Sequence, residues 1–283
     1  MDKQNKAALY ALAGGVIWSF SGLLSRLVSW NSFSLVALRA LVATVILGLC
    51  RGSFRIRPNK GLWLCGLGIS ATSLLYMSAL RFTSTANAIV LQYTASVFVI
   101  LYMLLVKRQK PLKSELIATI FVILGVCLCF SSGLSGGTLT GNLLGLLSGM
   151  TYAVVFLTTR YAGNDPVDSV YFGTLLSCAL AVVVPFDKGF SITPRDLAIM
   201  LGLGCSLGLG YLFFSLGMRY GLSPVRSCII SNAEPVLNPV WVFLLLGENP
   251  GVMSIVGAAV VLIAITAQSI YEARRTKAAA ERT

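Results

Sequence analysis

Apolar residues in this chain fall into long runs, without the strict alternation of a half-buried strand or the one-sided spacing of a soluble amphipathic helix. Ten runs can be counted, at about 7–28, 32–50, 61–80, 84–106, 114–131, 142–162, 168–186, 197–217, 223–246 and 251–271. Each approaches the roughly 20 residues that a helix needs to cross a hydrocarbon core. The separators are mostly short and carry Gly, Pro, Ser or charge, as in RGSFRIRPNK at 51–60, KRQKPLK at 107–113 and SSGLSGGTLTGN at 131–142. No ladder of alternating ten-residue segments appears, which excludes a β-barrel. The pattern predicts an all-α polytopic membrane protein with ten transmembrane helices, with the lipid bilayer as its surroundings.

Composition agrees with the pattern. Of 283 residues, 56% are hydrophobic and 11% charged, and the mean hydropathy is +0.83. An ordinary soluble domain is roughly 25% charged. Soluble enzymes, secreted disulfide scaffolds and disordered regulators are excluded on that ground. The net charge of +12 sits in short clusters between apolar runs, so it belongs at a membrane surface and no nucleic-acid partner is expected. The chain has no histidine, which removes imidazole acid–base chemistry and the commonest metal ligand. No metal and no cofactor are expected. The seven cysteines lie within apolar runs and make no CxxC pair, and they read as packing residues. Lys3 and Lys6 precede a first run that continues to about Leu24, too long for the apolar part of a cleaved signal.

Charge also sets orientation. With the N-terminus placed inside, sixteen of the 22 basic residues fall on the cytoplasmic side, including Arg51, Arg55, Arg57, Lys60, Lys107, Arg160, Arg219 and Arg274. Arg26, Arg81, Lys188 and Arg195 fall on the other, and Arg39 and Arg226 lie within runs. Excess Lys and Arg mark cytoplasmic segments, so both termini are expected there, which requires an even number of spans.

The chain repeats itself. GGVIWS at 14–19 aligns with SGMTYA at 148–153, an offset of 134 that also matches Arg26 with Arg160. ALRFTSTANAIVLQYTASVF from Ala79 aligns with GMRYGLSPVRSCIISNAEPV from Gly217 at offset 138, and IATIFVILG from Ile117 with VGAAVVLIA from Val256 at offset 139. Two units follow, 1–135 and 136–283, each of five helices. Five is odd, so the second unit enters the membrane inverted, a plan shared by alternating-access transporters with a midplane site between their halves.

The stretches GGVIWSFSGLLSR, ALRALVA around Arg39, ANAIVLQYTASVFV and AEPVLNPVWVFLLLGE, in that order along the chain, resemble the EamA family of the drug/metabolite transporter superfamily. The resemblance implies ten helices in two inverted five-helix repeats. Helices 1, 3, 4, 6, 8 and 9 would surround a central cavity, with 5 and 10 outside. It implies a bacterial inner-membrane protein that moves amino acids, other metabolites or toxic compounds, mostly outward. Ser96 stands where many members carry proline, so the resemblance does not imply a bend of the fourth helix symmetrical with that of the ninth.

Glu234 is the sharpest chemical signal. It lies about halfway along a run that starts at the Ser223–Pro224 cap and ends near Leu246. A charge at that depth costs at least about 2.5 kcal/mol on insertion scales, so the group must face a cavity, pair with a cation or be protonated. Both a coupling role and a structural bond to a neighbouring helix meet that need. Ser231, Glu234 and Asn238 follow i, i+3, i+7 and share a face beside Pro235 and Pro239, whose missing N–H groups free backbone carbonyls. That face reads as cavity lining. Arg39 lies about 10 Å along the second helix from its outer end, where it either snorkels outward or turns inward toward an acid or a substrate carboxylate. Arg226, three residues into the ninth helix, reads as snorkelling. The remaining candidates for the substrate site are Trp18 and Ser21 in the first helix, Tyr76 in the third, Asn87, Gln92 and Tyr93 in the fourth, Tyr152 and Phe156 in the sixth, and Tyr211 in the eighth. Gly204 and Gly208 form a small-xxx-small pair for close packing, while Gly257 with Ala258 and Ala259 suits either packing or a homodimer.

A secondary-active or facilitative transporter of small molecules, an exporter of amino acids or related metabolites, accounts for all of these features. A proton-coupled exporter of drugs or toxic cations is the alternative within the same fold. An intramembrane enzyme lacks a histidine, a metal cluster or a buried Asp pair here, and a channel lacks a repeated filter loop or a ring of like charges. No Walker motif is present, so ATP is not the expected driving force.

Overall fold

The computed structural model describes residues 3–25, 27–28, 30–131, 134, 137–159, 163–190, 193–246 and 251–280. Its helices are α1 (Lys3–Ser25), α2 (Ser32–Arg51), α3 (Lys60–Phe82), α4 (Thr85–Tyr93), α5 (Ala95–Leu105), α6 (Lys113–Cys129), α7 (Leu139–Thr158), α8 (Pro166–Cys178), α9 (Pro194–Arg219), α10 (Pro224–Ser231), α11 (Ala233–Leu246) and α12 (Gly251–Ala280). A 3-10 segment, Ala179–Phe186, continues α8 and contains Pro185. Among the described residues, seven segments are long and apolar enough to cross a membrane: Ser32–Arg51, Lys60–Phe82, Ala86–Leu105, Leu139–Thr158, Pro166–Phe186, Pro194–Arg219 and Gly251–Arg275. The first and fifth apolar runs carry α1 and α6, and the ninth carries α10 and α11. The last helix continues beyond its apolar run into the basic tail.

Short polar separators work here as caps. The side chains of Asn31, Asn59, Ser84, Thr138, Asp165, Thr193 and Ser223 each accept a hydrogen bond from a first-turn N–H of the helix that follows. Pro166, Pro194 and Pro224 occupy the first helical position, where a missing N–H is harmless. Gly52, at φ 71°, closes α2 in the left-handed conformation that glycine tolerates.

The helices pack in a pattern that repeats when the two halves of the chain are exchanged. α1 packs along α9, and α3 packs along α7; α6 packs on α12; α2 contacts α8 and α9, and α8 in turn contacts α3. Single contacts repeat as well. Ser206 Oγ donates to the Ile17 carbonyl, while Gly68 and the Thr151 carbonyl, their offset equivalents, also adjoin. A Cβ on Gly15 would meet the Ile230 carbonyl at 3.9 Å, and one on Gly149 the equivalent Gln92 carbonyl at 2.9 Å.

In lipid, helices associate through close packing of small residues. Gly204 and Gly208 press on α2, where a Cβ would come within 2.3 Å of Val42 and 2.9 Å of Ala43. Gly257 faces α6 of its own chain: a Cβ there would lie 2.3 Å from the Cys129 nitrogen and 2.5 Å from the Gly125 carbonyl oxygen. The packing reading of Gly257 therefore holds, and this glycine is not free to serve a dimer contact. Gly257→Val should lower thermal stability in detergent by about 1–3 kcal/mol, the usual cost of overpacking against backbone. A melting temperature equal to that of the wild type would show that α6 and α12 can separate without loss.

Two of the apolar runs are broken, and they break alike. α4 gives way to α5 at Thr94 (φ −63°, ψ −5°), and α10 to α11 at Asn232 (φ −67°, ψ −3°). These residues are equivalent at the offset of 138 seen in the sequence. With Ser96 in place of the proline many family members carry, a bend in the fourth run to match the ninth did not follow from the sequence. The fourth run breaks through hydroxyls: Thr94 Oγ1 donates to the Leu91 carbonyl at 2.5 Å, and Ser96 Oγ to the Tyr93 carbonyl at 3.2 Å. Such local bonds compete with the helical ladder and bend it. In the ninth run the Asn232 amide and the Ser231 hydroxyl both donate to the Cys228 carbonyl, at 2.6 and 2.8 Å, ahead of Pro235.

Each end of the bundle is tied by polar side chains. At one end Arg51 Nε donates to Asp168 at 2.5 Å with its guanidinium 4.5 Å above the Tyr171 ring, Arg219 pairs with Asp165 at 2.7 Å, and Asn59 meets Asn164. At the other end the Asn31 N–H donates to Asp187 Oδ2 at 2.7 Å, Gly189 N–H donates to Oδ1 at 3.0 Å, and Arg81 reaches Asn31 and Ser32. Burial alone would raise the pKa of the Asp187 carboxyl group, but the Ser34 hydroxyl, these N–H donors and the Arg81 charge outweigh it and hold it below its ordinary value of 3.8. A lowered folded-state pKa adds stability that is complete above 3.8 and is lost as pH falls through the lowered value. The stability advantage of the wild type over Asp187→Asn should therefore be full at neutral pH and vanish in strong acid. An advantage unchanged down to pH ~2 would contradict that assignment.

Candidate functional site

The two broken runs meet at the centre of the bundle. Tyr93 ends α4, and Glu234 is the second residue of α11. Across 141 positions of sequence, the Tyr93 hydroxyl donates to Glu234 Oε2 at 2.8 Å. The break serves the carboxylate in a second way. A first-turn position puts Glu234 at the positive end of the α11 dipole, beside N–H groups without helical partners. Ala233 and Val236 nearby are fully buried, while Glu234 keeps partial exposure.

Arg39 comes to the same centre from α2. It is 9% exposed and lies within electrostatic range of Glu234, Tyr211 and Tyr76. It therefore turns inward; the outward snorkelling alternative does not occur. Among the described residues no direct ion pair joins Arg39 to Glu234, and Arg39 Nε has no hydrogen-bond partner. A buried donor of this kind is costly unless something fills its valence.

Aromatic rings form an arc around these charges. Trp18 meets Tyr211 edge-on at 5.0 Å and Phe214 at 5.5 Å; Phe214 meets Phe156 at 5.5 Å. Phe156 meets Tyr152 at 4.7 Å, and Tyr152 meets Tyr93 at 6.4 Å. The arc thus runs from α1 through α9 and α7 to the tyrosine that holds Glu234. Trp18 reaches its place because position 210 is glycine, where a Cβ would lie 2.3 Å from the indole. Ser231 sits within hydrogen-bonding reach of Tyr152.

Among the sequence candidates, Trp18, Arg39, Tyr93, Tyr152, Phe156, Tyr211, Ser231 and Glu234 come together here. Tyr76 joins them through its electrostatic contact with Arg39 and Tyr93. Gln92 and Ser21 are half-buried. Asn87 lies apart: it is in the first turn of α4, where its amide donates to Thr83 Oγ1 and Asn142 Oδ1 and ties the ends of α3, α4 and α7. Asn238 is helical, but its side chain lies outside the described residues, as do Arg26, Arg160 and the Gly247–Glu248 pair. Arg226 departs from the snorkelling expectation. It is 6% exposed and faces the acids Glu115 of α6 and Glu272 of α12.

Three contributors escaped the sequence reading. Phe214 bridges the two halves of the aromatic arc. Thr94 makes the α4 break. Trp241 stacks on Phe20 at 4.4 Å and donates from Nε1 to Ser19 Oγ at 2.7 Å, tying α11 to α1. It stands seven residues after Glu234, and that spacing on one helix face was a usable signal.

Apolar helices of membrane-crossing length around a buried charged and aromatic centre define a multi-pass membrane protein. Comparison with known proteins gives its family. The profile of the EamA-like transporter family matches residues 5–131 and again 139–269, and the chain belongs to that family. A protein described as an uncharacterized transporter of Archaeoglobus fulgidus is 25% identical over 276 residues, covering 88% of this chain and 92% of its own length. A second, from Clostridium kluyveri, is 24% identical over 217 residues, or 71% of this chain and 68% of its own. A solved crystal structure superposes with a TM-score of 0.79 at 19% identity, over 96% of this chain and 99% of that one, which establishes the likeness of fold.

Proposed function

We propose that the chain is a secondary-active or facilitative exporter of small zwitterionic metabolites such as amino acids, working by alternating access across a bacterial inner membrane. It acts as a carrier with no catalytic role of its own. On this reading it has ten spans in two inverted five-helix units, 1–135 and 136–283, with both termini cytoplasmic. The matched breaks at Thr94 and Asn232, the packing that repeats on exchange of halves, and the family profile that matches twice all support the plan.

One observation carries the substrate reading. Arg39 and Glu234 bring a guanidinium and a carboxyl group to one buried site, and among the described residues no direct ion pair joins them. A substrate with a carboxylate and an ammonium group completes both: Arg39 takes the carboxylate, and Glu234 takes the ammonium. Arginine donates to a carboxylate with charge-assisted bonds, and aromatic faces such as those of Trp18 and Tyr152 accept the apolar part or the cation. Export of toxic cations coupled to protons is the second reading. It draws on Glu234 and the aromatic arc but leaves the Arg39 charge without a use.

Thermal stabilisation of the purified protein tests the first reading, since a ligand that binds only the folded state raises the melting temperature by mass action. Amino acids should stabilise it, and their decarboxylated amines and deaminated acids should not. Labelled counterflow in liposomes should follow the same ranking. Stabilisation by lipophilic cations alone would favour the second reading.

A further inference from the structure

Away from the central site, a groove of about 450 Å³ opens on the membrane face between α1, α10 and α12. Its polar end lies where both chain ends lie, with Asn5 from α1 and Arg274 from α12. Its apolar lining includes Ala8, Leu9 and Leu12 of α1, Ile265 and Ile270 of α12 and Ile230 of α10. From Arg274 to Ile265 is about 14 Å by helix rise, close to half of a ~30 Å hydrocarbon core. The groove is thus one leaflet deep.

Two hydroxyls interrupt the apolar lining. Ser269 lies about 7 Å, and Thr266 about 12 Å, along α12 from Arg274. Both line the groove, and Thr266 is exposed, on a helix face that otherwise meets lipid. Charge favours one sign of headgroup. Lys6 is exposed at the same end of α1, and Arg274 is exposed; Glu272, the nearest acid on α12, is buried on another face with Ser114 and Arg275.

We infer that this groove is a binding site for one anionic diacyl phospholipid. Arg274 and Asn5 hold the phosphate, Ser269 faces the glycerol ester level, and an acyl chain lies along Leu9 and Leu12 past Thr266. A cation at the headgroup level above a mostly apolar groove matches a phospholipid, and a soluble phosphate would leave the apolar part bare.

The test is lipid retention and thermal stabilisation of the full chain in detergent, with phosphatidylglycerol, phosphatidylcholine and glycerol 1-phosphate as probes. Phosphatidylglycerol should be retained at one per chain and bound roughly fivefold more tightly than phosphatidylcholine, the size expected from one surface cation. Glycerol 1-phosphate should give no shift. Arg274→Gln should remove the preference between the two lipids, and Ala8→Trp, which fills the groove, should remove retention of both. Arg57→Gln, on the loop before α3, should change neither. Equal binding of both lipids by the wild type, or an undiminished preference in Arg274→Gln, would overturn the assignment. Because Arg274 is exposed, that variant folds normally and keeps the test decisive even if Ala8→Trp does not fold.

Discussion

Glu234→Gln is expected to abolish accumulation driven by a pH gradient while leaving counterflow of a substrate without a cationic group intact. One pH unit supplies about 1.36 kcal/mol per proton, or about tenfold accumulation at one-to-one coupling. The variant should show none of it. Glu234 is the carboxylate at the meeting point of α4 and α11, and the chain has no histidine to replace it. Glutamine is nearly the same size and still accepts from the Tyr93 hydroxyl, so packing is retained. A substrate with an ammonium group should bind more weakly to the variant, because its counter-charge is gone. Reconstituted protein in liposomes, assayed with and without a gradient, separates the outcomes. Full gradient-driven transport by the variant would make Glu234 structural, and a wild type indifferent to the gradient would leave it as the ammonium partner of a passive exchanger.

The second large effect is expected at Arg39. A hydrogen bond to a charged group contributes about 1.5–3 kcal/mol, so Arg39→Gln should raise KM for a carboxylate-bearing substrate by about ten- to a hundredfold. Decarboxylated analogues should be affected far less. The same substitution leaves Glu234 without its opposite charge at this site. Arg39→Gln with Glu234→Gln should then be more stable than Arg39→Gln alone, and a double-mutant cycle of melting temperatures reads that coupling. Additive effects would show that the two charges do not sense each other.

What the sequence made legible followed from chemistry that is local along the chain. Runs at the length of a bilayer and caps such as Asn59 and Ser223 can be read one residue after another. Glu234 stands out because a carboxylate amid Ile, Val and Leu has few explanations. Arg39 could be flagged but not aimed, since turning inward depends on Tyr76, Tyr211 and Glu234, which other helices bring. Its neighbour in kind, Arg226, read as snorkelling because Glu115 and Glu272 lie more than 40 residues away on either side. The α4 break was hidden for a different reason. Proline is a visible helix breaker, whereas Thr94 and Ser96 break a helix only when their hydroxyls bond to its own carbonyls. Asn87 was misplaced by the rule that an amide in lipid turns inward, because Thr83 and Asn142 satisfy it at the rim.

The matched breaks at Thr94 and Asn232 bear on the energy landscape of transport. In the proposed inverted plan, swapping the roles of the halves converts the inward-open conformation into the outward-open one. Two identical halves would make these states degenerate, each occupied half of the time. The degeneracy is lifted only where equivalent positions differ, as Tyr93 does from Ser231, Ser96 from Glu234 and Trp18 from Tyr152. A resting bias of 99 to 1 needs only about 2.7 kcal/mol, half of the 5.5 that reverses such a ratio. A single hydrogen bond to a charged group, such as that from Tyr93 to Glu234, is of that order. On that plan, the side to which an unloaded carrier opens is written in a handful of unequal pairs, and one substitution among them is enough to erase the bias.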